Sequence, residues 1–239
     1  MKLFAIADLH LPGGDDKPME VFGPHWEGHF ARISEDWRAR VSDEDAVLIP
    51  GDISWAMQLS HAVPDLQAIG ALPGRKFLIK GNHDYWWSSL TRVQAAMPEG
   101  MKALQHSAAD AGPWVICGTR GWVFPTGDEL LAAEDRRIYE RELLRLEMAL
   151  REARKLAERP DGTEKPIVAM LHYPPLYDAQ RDTAFTAMLT RYGVHTAVYG
   201  HLHGAGIRAG WNGTHGGVRY LLTSCDSLGF VLREVDMTT

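Results

Sequence analysis

Five short apolar runs constrain this chain more than any other feature, because each one ends in residues that can hold a metal. Residues 2–7 lead into Asp8-Leu9-His10, residues 46–50 into Gly51-Asp52, and residues 76–80 into Gly81-Asn82-His83-Asp84. Residues 167–171 lead into His172, and residues 196–199 into Gly200-His201-Leu202-His203. Short continuous apolar runs bounded by Gly and Pro suit strands buried on both faces. In a parallel or mixed sheet such strands deliver the polar residues at their C-terminal ends to one edge, where α/β sites lie.

Between the runs lie helical patterns. Residues 27–40 and 59–69 are amphipathic. The clearest helix is expected from about residue 128 to about residue 159, where Tyr139, Leu143, Leu146, Leu150, Ala153 and Ala157 alternate spacings of four and three. Pro160-Asp161-Gly162 stops it, and a surface helix packed on its own sheet is the expectation. Alternating strands and helices indicate an α/β or layered α+β fold. Residues 112–124 look strand-rich, and residues 218–223 and 230–235 are expected to form a β-hairpin. No linker or repeat divides the chain, so one domain over residues 1–239 is the economical organisation.

Composition narrows the function classes. With 239 residues, 45% hydrophobic and 23% charged, the chain has material for a sizeable core and is neither disordered nor a disulfide scaffold. A net charge of −6 supplies no basic excess for displacing counterions from nucleic acid, which is disfavoured as a partner. The N-terminus does not read as a signal peptide, and no apolar run is long enough to cross a bilayer. Cys117 and Cys225 stand far apart in apolar contexts and are expected to be buried, unreactive thiols. A cytoplasmic location without a membrane partner is the expectation.

The polar elements carry chemistry jointly rather than singly. Asp8 and His10, two residues apart on a strand, would face the same way and could touch one cation. Gly51-Asp52 alone is also a turn dipeptide. Gly81-Asn82-His83-Asp84 adds a neutral oxygen ligand and a His–Asp pair, and His201 and His203 add two imidazoles beside glycines. Asp, Asn and His without Cys suit hard to borderline divalent metals. Seven candidate ligands are too many for one cation and about right for two that share a carboxylate.

This ordered set resembles the signature of the calcineurin-like metallophosphoesterases, from residue 8 to residue 203. The resemblance implies a four-layer αββα sandwich with a two-metal site between strand ends. It implies that Asp8, His10, Asp52 and His203 hold the first metal, and that Asn82, His172 and His201, with Asp52 bridging, hold the second. Manganese is the expected cation, with iron at the first position or zinc at the second as alternatives. His83 would stand beside the leaving group with Asp84 as its carboxylate partner. Many members carry a further Asp shortly after Gly-Asp; here Ile53-Ser54-Trp55 occupies that stretch.

The chemistry has its own logic. Two cations roughly 3.5–4 Å apart neutralise an anionic phosphoester and acidify a bridging water for in-line attack. A positioned acid assists the leaving oxygen, and a carboxylate neighbour favours the imidazolium form of His83. The expected activity is hydrolysis of small phosphomonoesters or phosphodiesters, cyclic nucleotides among them. A nuclease and a non-catalytic interaction module are the alternatives; the full ligand set favours catalysis. Trp55, Tyr85, Trp86, Trp87 and Trp122 are candidates for a stacking wall around the substrate. Residues 11–30, with Gly13-Gly14, Pro18, Pro24, His25 and His29, could form either a lid or a plain surface loop. Arg120 could meet a phosphate, and the oligomeric state stays open.

Overall fold

All five apolar runs form strands in the structure, a computed structural model that describes residues 1–14, 19–127 and 130–237. The strands divide between two sheets. The first sheet takes β1 (Leu3–Ala5), β2 (Ala46–Ile49), β3 (Arg75–Ile79) and β4 (Met101–Leu104), all parallel, with β11 (Arg233–Glu234) antiparallel on β1. The second has the order β5 (Ser107–Asp110), β6 (Val115–Thr119), β7 (Ile167–Leu171), β8 (Val194–Tyr199), β10 (Val218–Leu222), β9 (Gly213–His215). Its inner strands β6, β7, β8 and β10 are parallel, and the two outer strands run antiparallel to their neighbours.

Alternation along each strand explains the layering, since successive side chains point to opposite faces. Leu3, Ala5, Leu48, Phe77 and Ile79 of the first sheet meet Ile116, Val168, Met170, Val198 and Leu221 of the second in an inter-sheet core. The intervening residues Phe4, Val47, Ile49 and Leu78 turn outward onto helices α1 (His29–Arg40), α2 (Leu59–Gly70) and α3 (Leu90–Ala96). Likewise Val115, Cys117, Ala169, Leu171 and Ala197 face α4 (Ala133–Ala157) and α5 (Ala184–Arg191). Both faces of each sheet are covered, which is why the strand sequences are apolar throughout. The result is the expected four-layer αββα sandwich.

Two expectations change. The C-terminal hairpin does not form: β10 joins the second sheet, whereas β11 crosses to pair with β1, with Phe4 opposite Glu234. A hairpin pattern specifies two extended segments, and here the better partner for the last one was the open edge of β1. The long helix begins at Ala133 and ends at Ala157, inside the expected span; residues 128 and 129 lie outside the described residues. Its buried stripe contains Leu146, Leu150, Ala153 and Ala157 as expected, together with Glu142. No described helix is long and apolar enough to cross a membrane.

Candidate metal centre

The first sheet contributes the residues after β1, β2 and β3, and the second those after β7, β8 and β10. The two sets meet across the sandwich edge. The main chain does much of the joining. The His10 N–H donates to the Asp52 carbonyl at 3.0 Å, and the His201 N–H donates to the Asp8 carboxylate at 2.9 Å. Asp8, His10, Asp52 and His201 all adopt left-handed backbone, with φ of 63°, 45°, 51° and 74°. Each such residue costs roughly 1–3 kcal/mol and persists only where surrounding contacts impose it.

Glycine permits this crowding. A Cβ on Gly81 would stand 2.0 Å from Asp52 Oδ1, and one on Gly200 would stand 2.6 Å from Asp8 Oδ2. The glycines of these motifs therefore leave room for carboxylates, a role beyond the turn-forming one suggested by sequence.

Two clusters result. Asp8, His10 and His203 bring ligand atoms within 4.8 Å of one another, and so do Asp52, His172 and His201. In the first, His10 Nε2 faces His203 Nε2 at 3.3 Å. In the second, His172 Nε2 lies 2.6 Å from Asn82 Oδ1, and His201 Nδ1 lies 2.9 Å from the same oxygen. Asp52 Oδ2 stands between the clusters, 3.4 Å from His172 Nε2 and 3.9 Å from His10 Nε2. All seven residues singled out as ligands are thus brought together.

This donor set fits two divalent cations. His172 Nδ1 donates to the Pro50 carbonyl at 3.0 Å, and His203 Nδ1 donates to Asp226 at 2.9 Å. With their protons placed there, both rings turn bare Nε2 lone pairs toward the cluster, as ligand imidazoles do. Lone pairs facing lone pairs at these distances need positive charge between them. The electrostatics make the same demand. Against the cost of burial, Asp52 and Asp8 push His172 up to about 9. Burial likewise opposes protonation of His203, yet Asp226 and Asp8 push it up to about 10. Burial outweighs the carboxylates at His10 and, reinforced by the His172 charge, at His201; both are pushed down to about 4. Despite burial, neighbouring imidazoles hold Asp8 and Asp52 below the usual carboxylate range.

Asp226 was not singled out from sequence. Its side chain is 2% exposed and also accepts the Gly204 N–H at 3.0 Å. It occurs as a lone Asp in Ser224-Cys225-Asp226-Ser227, outside any recurring spacing, so no local signal marked it.

The structure corrects the role of Asp84. Its carboxylate is fully buried and spent on other groups than the His83 ring. It accepts N–H groups from Ile53 at 2.9 Å, Ser54 at 3.2 Å, Gly81 at 2.7 Å and the Trp86 indole at 3.0 Å. Burial and the charge of Asp52 push it up to about 6 despite those bonds. Asp84 therefore ties the loops after β2 and β3 together, and adjacency in sequence misassigned it as the partner of His83. Ser54 completes the tie by donating to Asp65 at 2.5 Å. The His83 N–H donates to Asp52 Oδ1 at 2.8 Å, and its ring lies 4.5 Å from that of Trp55 and 5.7 Å from that of His10.

The aromatic wall is smaller and differently composed than expected. Trp55 stacks on His10 at 4.8 Å, and the exposed Tyr85 stands edge-on to His83 at 6.4 Å. Trp86 and Trp87 are buried in the helix-facing core, and Trp122 packs on Tyr173. Trp26, not anticipated, closes the other side at 5.7 Å from His203. Residues 11–30 supply Met19, Phe22, His25 and Trp26 to a cavity of about 250 Å³ that reaches His83 and His203. Pro18 of that segment lies outside the described residues. His29 anchors the segment by donating from Nε2 to the Leu9 carbonyl at 2.8 Å. Both cysteines are buried; burial pushes Cys117 up to about 12, and Cys225 donates its thiol hydrogen to the Asp8 carbonyl.

The family model for calcineurin-like phosphoesterases matches residues 1–205. The chain belongs to this family. It is accordingly a metal-dependent phosphoric ester hydrolase, and family membership implies a binuclear divalent metal site in keeping with the two clusters. The crystal structure of phosphopantetheinyl hydrolase from Mycobacterium tuberculosis shares the fold at 17% identity and TM-score 0.57, covering 99% of this phosphoesterase and 96% of that chain. A protein of unknown function from Aquifex aeolicus aligns at 15% identity and TM-score 0.49, covering 98% and 95% of the two chains. No curated protein matches the sequence. Asp226 lies beyond the matched residues, although it contacts His203 inside them.

Proposed function

We propose that this phosphoesterase hydrolyses small phosphomonoesters or phosphodiesters whose leaving group carries an apolar or aromatic portion. The observation that carries this reading is the cavity beside the first cluster, where Met19, Phe22, Trp26 and Trp55 surround an opening onto His83 and His203. Asp8, His10, Asp52, Asn82, His172, His201 and His203 would hold two divalent cations, which would supply charge neutralisation for the phosphate and an acidified water. Manganese is the first cation to test, with iron and zinc next.

The protein's own residues do the rest. Asp226 and the Pro50 carbonyl hold the His203 and His172 rings in the tautomer and orientation that ligation requires. Asp52 accepts the His83 N–H and so fixes the start of the His83 loop against the clusters. The His83 ring borders the apolar cavity, where a leaving oxygen would depart, and it can give that oxygen a proton. Trp55 packs against both His10 and His83 and limits their swing.

The test is a panel assayed after metal reconstitution: p-nitrophenyl phosphate, its bis ester, ethyl phosphate, a cyclic nucleotide and a phosphopantetheinyl ester. The phosphopantetheinyl ester is included because of the activity named for the mycobacterial structure. Turnover of at least one ester, faster for aromatic than for short alkyl leaving groups, is expected. Turnover with no preference for apolar leaving groups would remove the cavity from the argument, and no turnover with metals bound would sink the reading.

A further inference from the structure

A second cavity, of about 220 Å³, lies on the other flank of the site and has the opposite character. Lys80, Arg120, Arg141 and Arg145 line it with a single carboxylate, Glu142. It shares no lining residue with the apolar cavity. Its walls are continuous with the second metal cluster: Lys80 directly precedes Gly81-Asn82, and the Arg120 carbonyl accepts the His172 and Tyr173 N–H groups at 3.0 and 2.9 Å.

The charge there is not balanced. Glu142 is fully buried, and its two oxygens are taken by Thr119 Oγ1 at 2.7 Å and Arg145 at 2.7 Å. Among the described residues Lys80, Arg120 and Arg141 make no ion pair. Lys80 Nζ donates to the Trp87 carbonyl at 3.3 Å, which leaves N–H groups unspent. The Arg120 guanidinium lies over the Trp122 ring, 4.5 Å from its centroid, which holds it in place, and among the described residues no carboxylate takes its edge. Half-buried cations that converge on a hole with no free carboxylate are costly unless an anion joins them. Guanidinium forks present paired donors that match tetrahedral oxyanions.

We propose that this cavity is a second anion site, separate from the metal clusters, that binds a phosphate-type oxyanion. The anion has two chemical sources: a second phosphate on the substrate of the metal centre, or free inorganic phosphate released by the reaction. The substrate source rests on the phosphoesterase reading; the binding itself does not.

Calorimetric titration of the metal-loaded full chain with inorganic phosphate tests it. Two phosphates per chain are expected. Arg120→Gln and, separately, Arg141→Gln should each weaken one of the two by about tenfold or more, as loss of a charge-assisted bond does, with the other retained. Arg141 is exposed on α4, so its variant carries the test if Arg120→Gln fails to fold. Phosphate binding that neither variant weakens, whatever its stoichiometry, overturns the proposal. Kinetics then separates the sources. If the anion belongs to the substrate, the variants lose at least tenfold more kcat/KM on adenosine 3′,5′-bisphosphate than on adenosine 5′-monophosphate. If it is free phosphate, added phosphate alters wild-type kcat in a way that competing substrate does not reverse, and the variants lose this response. A phosphate that both variants weaken, without turnover of any ester, would sink the phosphoesterase reading alone; turnover with no such phosphate would sink this site alone.

Discussion

His83 and Asp226 show at the scale of single residues how sequence adjacency and spatial adjacency diverge. Asp84 is next to His83 in the chain but spends its carboxylate on Ile53, Ser54, Gly81 and Trp86. Asp226 stands far from His203 in the chain and holds its ring at 2.9 Å. His83→Ala should keep both metals and slow esters with poor leaving groups by about 10²–10⁴, the range of acid–base assistance. Esters with good leaving groups should slow far less, and equal loss on phenyl and p-nitrophenyl phosphate would remove His83 as the acid. Asp226→Asn should lower affinity for one metal by about 10–100-fold, because the His203 tautomer is no longer enforced. Metal content after dialysis against graded chelator reads this, and unchanged content would reduce Asp226 to a loop contact. The seven clustered residues were legible because each lies at the end of an apolar run at fixed spacing; Asp226 was not, because nothing near it in sequence reports what faces it.

At the scale of elements, the strands and helices were read from periodicity because burial on two faces leaves a continuous apolar run and burial on one leaves a stripe. The short strands β4 and β5 went unread; Ser107–Asp110 carries too little apolar pattern to stand out from a loop. Contacts between elements also set local chemistry. Lys76 of β3 reaches the end of α2 and donates to the Leu72 carbonyl and, at 3.2 Å, to the Gly70 carbonyl. Burial pushes it down to about 8 from its ordinary 10.5. Between those values the unfolded chain keeps a proton that the folded chain has lost. Stability from this group therefore rises as pH goes from about 8 to 10.5, and it is lowest below 8. Urea denaturation across this window should show a smaller rise for Lys76→Met than for wild type. An identical pH slope in the two proteins would contradict it.

Across the whole molecule, two sheets from distant parts of the chain pack face to face, and the metal clusters lie where their strand ends meet. Asp8 and Asp52 come from one sheet, His172, His201 and His203 from the other, so cations bound there cross-link the halves. Ligands that bind only the folded state stabilise it by mass action, about 2.7 kcal/mol at a hundredfold excess over Kd. For a chain of this size that corresponds to a Tm increase of about 5–10 °C on manganese addition. Scanning calorimetry of the metal-free and reconstituted protein measures it. A Tm insensitive to metal would mean that the clusters do not hold the sheets together.

The amino-acid sequence by itself determined the five strands that end in the clustered residues and the identity of the seven clustered donors, while the αββα layering came from the resemblance those motifs carry. It could do so because strand periodicity and ligand spacing are local properties. Only the tertiary structure decided which carboxylate orients which imidazole, that β11 leaves its sequence neighbour for β1, and that Trp86 and Trp87 are core while Trp26 is wall. It alone brought Lys80, Arg120, Arg141 and Arg145, from three separate elements and turns, around one hole. These are contacts between residues far apart in the chain, and their energies depend on distances that no local pattern encodes.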